Sequence, residues 1–479
     1  MASQNLPIIF REQLNLCNQF GINPADVNFK SCTMESDKFI CIKDTQSAAN
    51  GGKPKLKIVN LATNQVQEFP MGADSAIMNP VSQIVAVRSG NKLRTLNLEL
   101  QSPMKGHTMP DGQNIHFWRW LTPKVIGFVT DTHAWLWSMD GDSAPVQAFE
   151  RHDSLGGTQI IDFQISSNNK WLLLVGIRKG QTGGIDGNMQ LYSVTKKVSQ
   201  PLSGHAGTFC DIQTAGDTAK RTVFCFVDKK PNSGPRLMIM QVDKPDTGVQ
   251  GDFRIAPKDI PFPAQAVQMN DFPVSLVASP KHDMLFLITK AGYLYMYFIH
   301  TGSLIYSNRV TGDTIFTTTI DSKTGGLLGI TARTGQLLSI SVNEATLVKY
   351  CQGQVPEPGL ALKVATTLGL SGAGDMFKGE FERLMKDVAT LKAGDETDNA
   401  GKCSALGVPP ANGSMALLDY FLQPPKKVKE FCKAGYELAK KNGMSETESL
   451  EFAINTLFDP TCPPSTLAVA TTRSSHSVS

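Results

Sequence analysis

No stretch of this 479-residue chain stays apolar for the ~18 residues that a membrane-spanning helix needs. The N-terminus, MASQNLPIIFREQ, has no basic region leading into an apolar core, so no secretory signal is read. Paired cysteine motifs are also missing. The nine cysteines (17, 32, 41, 210, 225, 351, 403, 432 and 462) include no C-x-x-C, and Cys41 and Cys225 sit inside apolar runs where a thiol behaves as a small hydrophobe. Neither a disulfide framework nor a metal set is expected. A charge of one sign is lacking too: 46 basic residues face 43 acidic ones, for a net charge of +3, so composition does not point to nucleic acid. The eight histidines form no H-E-x-x-H, and there is no G-x-S-x-G elbow or G-x-x-x-x-G-K loop. The chain is expected to be neither an enzyme nor a cofactor carrier. The basic clusters Lys53-Lys55-Lys57 and Lys426-Lys427-Lys429 read as a solvated loop and a solvated helix start, and Gly369 to Gly374 as a helix turn.

What the chain does contain is a repeat. Leu285 to Ile305, LFLITKAGYLYMYFIHTGSLI, is an apolar run, a turn at Ala291-Gly292 and an aromatic-rich partner run, which is the pattern of a buried strand and its hairpin mate. Equivalent runs start at Phe39, Ile84, Val125, Trp171, Val223 and Leu327, giving seven copies at steps of 41 to 62 residues. Blade-sized repeats of about 40–50 residues, each holding several short strands, indicate a mainly β chain with a seven-bladed β-propeller. Turns are expected at Gly90-Asn91, Asp131-Thr132, Gly187-Asn188, Ser233-Gly234, Ala291-Gly292 and Thr334-Gly335. Pro7 to Phe10 reads as one more strand that would complete the last blade. His205 in SGHAG and Trp137 in WLWSMD echo WD repeats, but neither recurs from blade to blade.

The character changes near Val355-Pro356, and from Leu362 on the period turns helical. Phe377, Phe381, Leu384, Met385 and Val388 share a face, Val428 to Ala439 form a second stripe, and Ser445 with Glu448 caps a third. The domains are accordingly read as a propeller over 1–345, a short α-solenoid-like helical segment over 346–462 and a disordered tail over 463–479.

The blade motifs MESDKFICIK, ADSAIMNP, RHDSLGGTQII, WLLLVGI, MQLYSV, NDFPV and HDMLFLITKAGYLYMY resemble the N-terminal domain of the clathrin heavy chain family, from about residue 5 to about residue 390. The resemblance implies a non-enzymatic hub at the cytoplasmic face of coated pits and vesicles. Its inter-blade grooves would take short motifs of adaptor and accessory proteins during endocytosis and vesicle transport. Membranes would be reached only through adaptors, and no nucleic acid would be bound. It further implies a central groove for Trp-containing peptides formed by Phe29, Gln159, Ile161 and Ile177, all matching the family. An arrestin-type groove would use Trp171, Lys196, Val198 and Gln200, with Lys196 standing where the family has arginine. A fourth groove would use Phe10, Glu12 and Asn15, the last in place of glutamine. The clathrin-box groove departs furthest. Val85 survives, Leu96 stands at the position of an aromatic, Gln101 and Pro103 replace two lysines, and Lys92 and Arg94 appear on the neighbouring strand. The family's long helical leg is not matched, so light-chain binding and trimerisation are not expected of this chain. The alternative reading is a shortened propeller paralogue acting as a non-coat scaffold or as a competitor of the full-length coat protein.

Overall fold

The structure is a computed structural model that describes residues 5–45, 55–70, 72–180, 183–214, 216–228, 234–249, 251–357 and 359–371. The chain divides into two compact units, Met1–Gln213 with Ala219–Val364, and Thr214–Thr218 with Ala365–Ser479. The first unit carries the propeller. The helical stripes read at 377–388, 428–439 and 445–458, the second basic cluster and the tail lie outside the described residues.

The chain enters through β1 (Ile8–Asn15) and then builds seven four-stranded antiparallel sheets. Blade 1 holds β2 (Cys32–Thr33), β3 (Phe39–Asp44), β4 (Lys55–Asn60) and β5 (Gln65–Phe69). Blade 2 holds β6 (Ser75–Met78), β7 (Ile84–Ser89), β8 (Lys92–Asn97) and β9 (Ser102–Thr108). Blade 3 holds β10 (Phe117–Thr122), β11 (Val125–Val129), β12 (His133–Ser138) and β13 (Val146–Glu150). Blade 4 holds β14 (Gln159–Ile165), β15 (Trp171–Lys179), β16 (Ile185–Ser193) and β17 (Val198–Ser203). Blade 5 holds β18 (Gly207–Ile212), β19 (Arg221–Asp228), β20 (Arg236–Asp243) and β21 (Arg254–Asp259). Blade 6 holds β22 (Pro273–Ser279), β23 (Met284–Thr289), β24 (Tyr293–Phe298) and β25 (Ser303–Arg309). Blade 7 holds β26 (Ile315–Ile320), β27 (Leu327–Thr331) and β28 (Gln336–Val342), with β1 as its outer strand.

The seven apolar runs are the second strands of the seven blades. They read as continuous rather than alternating because both of their faces are covered. On β7, Val85 and Val87 join a cluster with blade 1 while Ala86 joins one with blade 2's other neighbour. On β15, Leu172 and Leu174 pack toward blade 3, and Leu173 and Val175 pack toward blade 5. Burying such side chains contributes roughly 1.5–3 kcal/mol each.

Ring closure has two parts. β1 pairs antiparallel with β28 from Ile8 opposite Val342 to Asn15 opposite Gln336, so the N-terminal strand does complete the last blade. Blade 7 then meets blade 1 directly: Ser322 N donates to Asp37 at 2.9 Å, Arg333 N donates to Val27 O at 3.1 Å, and Leu328, Ile330 and Leu337 share a cluster with Ile22, Val27, Ile40 and Ile42. Further side-chain bonds stitch inner strand to inner strand, each spanning 43 residues. Thr33 Oγ1 donates to Ala76 O at 2.7 Å, Trp118 Nε1 to Ser75 Oγ at 2.9 Å and Gln164 Nε2 to Gly207 O at 2.9 Å, while the Ser275 and Thr318 hydroxyls lie 2.6 Å apart.

Three expectations change. Gly187-Asn188 is not a turn but lies within β16, and the β15–β16 connection falls at 180–184. Glycine is needed there because a Cβ on Gly187 would sit 2.3 Å from Gly204 O. Lys55 and Lys57 lie on β4 rather than in a loop, paired with Glu68 at 2.8 Å and Asp44 at 3.2 Å. Helix starts earlier than Leu362: one helix runs Glu344–Gln354 and another Leu360–Leu368. The first docks Leu347, Val348 and Cys351, and weak helix formers such as Thr346, Val348, Tyr350 and Gly353 lie within it, so packing contributes to holding it. Ser233 lies outside the described residues.

Candidate functional site

A cavity of about 910 Å³ opens at the ring's centre, lined by the innermost strands of all seven blades. Phe29, Gln159 and Ile161 are among its walls. Phe29 follows a short 3-10 turn, Pro24–Asp26, which Asn23 caps by accepting from Ala25 N. Asn28 then shapes the loop: its amide donates to Ala25 O at 2.7 Å and its Oδ1 accepts from Lys30 N at 2.9 Å. The Phe29 ring lies nearly parallel to Phe117 of blade 3, with centroids 6.4 Å apart. Such pairs contribute about 0.5–1.5 kcal/mol beyond burial.

Gln159 stands exposed at the start of β14 and faces Ile177 of β15 across the ladder. Ile161 is the extra residue of a β-bulge between Ile160 and Asp162, half-buried against the cluster that includes Val175 and Met189. The structure thus places Phe29, Gln159 and Ile161 in the wall of one cavity, while Ile177 lies opposite Gln159 on β15 and is not among the cavity's lining residues.

Lys30, Lys43, Arg88 and Arg119 all line this opening, and Arg119 is the one that pairs with two of its carboxylates, Glu35 and Asp162. Arg119 Nη1 donates to Asp162 Oδ1, and Arg119 Nε lies 3.4 Å from Glu35 Oε2. Glu35 also accepts from Trp120 N at 3.2 Å, and Asp162 accepts from Gln164 Nε2 at 2.5 Å. Burial pushes the Glu35 carboxyl above the usual range, against the pull of Arg119 and the Trp120 amide. Burial works against the Arg119 charge as well, but the two carboxylates outweigh it and hold the guanidinium firmly protonated.

The slot between blades 4 and 5 has an apolar lining and an ionic rim. Trp171 packs on the cluster of Leu173, Val175, Phe224 and Phe226, and Met238, Met240 and Val242 form the opposing wall. Val198 is 60% exposed on the outer strand, so its side chain is free to meet a ligand, and Gln200 beside it is exposed. Lys196 is exposed in the turn before β17. Lys170 and Asn168 both reach Asp243 of blade 5, at 2.9 and 2.7 Å, and hold the rim together.

Between blades 1 and 2 the expected residues fall into a buried part and an exposed part. Val85 is fully buried, opposite Leu96 and Met78 in the ladder, so it is floor beneath the slot and not an open wall. Lys92 and Arg94 are exposed on β8, on the same face as half-buried Leu96, and neither has an ion pair among the described residues. At the fourth site Phe10 is 44% exposed, but Asn15 is buried and committed: its Oδ1 caps the helix Leu16–Phe20 by accepting from Asn18 N, and its amide donates to Glu12. Glu12 in turn accepts from Gln336 at 2.8 Å, so this polar group is internally satisfied.

No protein-family model matches the chain. Similarity to curated proteins is extensive: a human clathrin heavy chain 2 is 39% identical over 401 residues, covering 84% of this chain, and a Drosophila melanogaster clathrin heavy chain is 40% identical over 382 residues, covering 80%. The chain is a clathrin heavy chain homologue. The same relation reaches fungi, with a probable clathrin heavy chain of Schizosaccharomyces pombe 34% identical over 384 residues. The chain spans about a quarter of the length of these relatives, 24% of the human and 22% of the Drosophila protein. Among solved structures, one in the mitotic checkpoint complex overlays 71% of this chain with a TM-score of 0.47 at 8% identity, a likeness too loose to add to the fold seen in the sheets themselves.

Within this clathrin-type terminal domain, sequence reasoning missed Phe117, Arg119 and Met240, which join walls contributed by distant blades. The repeat step held a signal for one of them, since Arg119 and Asp162 lie 43 residues apart like the other inner-strand ties. Among the described residues no group of three His, Cys, Asp or Glu is placed to hold a metal, and no helix is long and apolar enough to cross a membrane.

Proposed function

We propose that the chain is a non-enzymatic docking platform, residues 1–345, whose central opening binds a Trp-containing segment of an adaptor or accessory protein in vesicle transport at the cytoplasmic face of coated membranes. The observation that supports this reading is that Phe29, Gln159 and Ile161 line one cavity, with Ile177 next to Gln159 across the β14–β15 ladder. Aliphatic and aromatic walls suit an indole, and the exposed Gln159 amide supplies one donor and one acceptor for peptide backbone. The slot between blades 4 and 5, with Trp171, Val198 and the methionine wall, suits a leucine-rich segment, because methionine adapts to irregular apolar shapes. Single motifs of this kind bind weakly, so function rests on several grooves engaging one partner. Titration of a Trp-containing peptide against the wild-type chain and Gln159→Ala tests the reading. A several-fold loss in the variant supports it; equal affinity, or no binding by either, overturns it.

A further inference from the structure

Three separate chain segments meet at the central opening, and each brings a wall residue and a charged residue that belongs to one shared ionic network. The first carries Phe29 and Glu35, the second Phe117 and Arg119, the third Ile161 and Asp162. The charged members form the chain Glu35, Arg119, Asp162, which runs from blade 1 to blade 4 and passes over blade 2, whose inner strand is only four residues long. Gln164 continues it to blade 5 through Gly207 O.

Stability is a poor explanation for this arrangement. A largely buried ion pair recovers little more than its desolvation cost, and apolar residues of similar size are often as stable. Position is a better one. Ile161 is a bulge residue, so the β14–β15 ladder leaves it without a cross-strand partner, and its placement depends on packing against Val175 and Met189 and on how its chain neighbours are held. Asp162, the next residue, is held by Arg119 and Gln164 on its two oxygens. Glu35 is likewise tied to Arg119 and to the Trp120 amide, which anchors the strand end that follows the Phe29 loop to the strand carrying Phe117.

We propose that Arg119 is a positioning residue for the central opening. Its guanidinium spans Glu35 and Asp162 at once and thereby sets the Ile161 bulge and the Phe29–Phe117 stack that a peptide side chain meets. The proposal rests on the reading of that opening as a peptide groove. A lysine cannot replace the residue, because a single ammonium lacks the fork that reaches two carboxylates in fixed directions.

The test uses Arg119→Met, Arg119→Lys and Glu35→Gln in the full chain, with two readouts. Amide hydrogen exchange, measured without peptide, compares 159–162 with the buried strand Met284–Thr289 as a fold control. Affinity for a Trp-containing peptide is the second. In Arg119→Met, exchange at 159–162 accelerates by about tenfold or more with Met284–Thr289 unchanged, and peptide affinity falls by about five- to fifty-fold, with Arg119→Lys between it and wild type. Unchanged exchange at 159–162 in all three variants overturns the proposal. If wild type binds no Trp peptide, the docking reading fails, while the exchange arm still decides whether Arg119 positions the bulge. If Arg119→Met unfolds, seen as faster exchange in both regions, the two milder variants decide by the same comparison.

Discussion

The central opening and the slot between blades 1 and 2 belong to one ring but are built on opposite principles. Around the opening, polar side chains bridge distant blades: Arg119 binds two carboxylates, Gln164 reaches blade 5, and Phe29 lies on Phe117. In the slot, an apolar floor of Val85, Met78 and Phe39 lies below two exposed cations, Lys92 and Arg94, which have no ion pair among the described residues. Side-chain ties from blade 1 to blade 2, such as Thr33 to Ala76 O and Lys38 to Val81 O, end on backbone carbonyls. The first arrangement is preorganised and tolerates little change. The second draws on exposed charges that act through solvent.

The comparison can be broken by substitution. The largest effect is expected from Phe29→Ala, which removes both the stack and a wall: affinity for a Trp-containing peptide falls about tenfold or more by calorimetry, corresponding to about 1.4 kcal/mol or more. Binding of an acidic, leucine-rich peptide between blades 1 and 2 is unchanged in that variant. Reversing the cations with Lys92→Glu and Arg94→Glu does the converse. Each exposed pair contributes about 0.2–1 kcal/mol, so the acidic peptide loses affinity several-fold, and raising salt on the wild type reproduces much of the loss. Leu96→Phe sharpens the contrast by adding apolar area over Val85, and a gain of about two- to five-fold is expected for the same peptide. A pH titration isolates the smallest effect. Lys281 and His282 hydrogen-bond Glu344 and hold its carboxyl at about 2, below its ordinary 4.5. A lowered folded-state value means that this contribution to stability is present above about pH 4.5 and is lost as pH falls from there toward about 2. Glu344→Gln should flatten that part of the stability profile while leaving both peptide affinities alone at neutral pH.

The second strands of the blades were legible in the sequence because burial on both faces leaves an unbroken apolar run, as in LFLIT and WLLLV. Outer strands such as SPMKGHT and VSQPLS were harder to read because they are mostly exposed, whereas β1 was legible through Ile8-Ile9-Phe10. Gly187 misled because glycine serves close backbone approach as well as turns, and the sequence alone does not separate the two uses. The helix Glu344–Gln354 falls almost wholly within the segment read as helical from 346, but it showed no stripe of its own because only three side chains, Leu347, Val348 and Cys351, dock it. At the candidate site, Phe29, Gln159, Ile161 and Ile177 were reached through the resemblance. That Val85 is buried and that Asn15 is committed to a helix cap emerged only from coordinates, since burial and capping depend on the register of neighbouring strands.

Methyl-resolved NMR on isoleucine-labelled protein tests the central claim most directly. On adding a Trp-containing peptide, the Ile161 and Ile177 methyl signals should shift together and saturably, with the signals of Ile126 and Ile288, buried in blades 3 and 6, unmoved. Saturable shifts elsewhere with Ile161 and Ile177 silent would contradict the account.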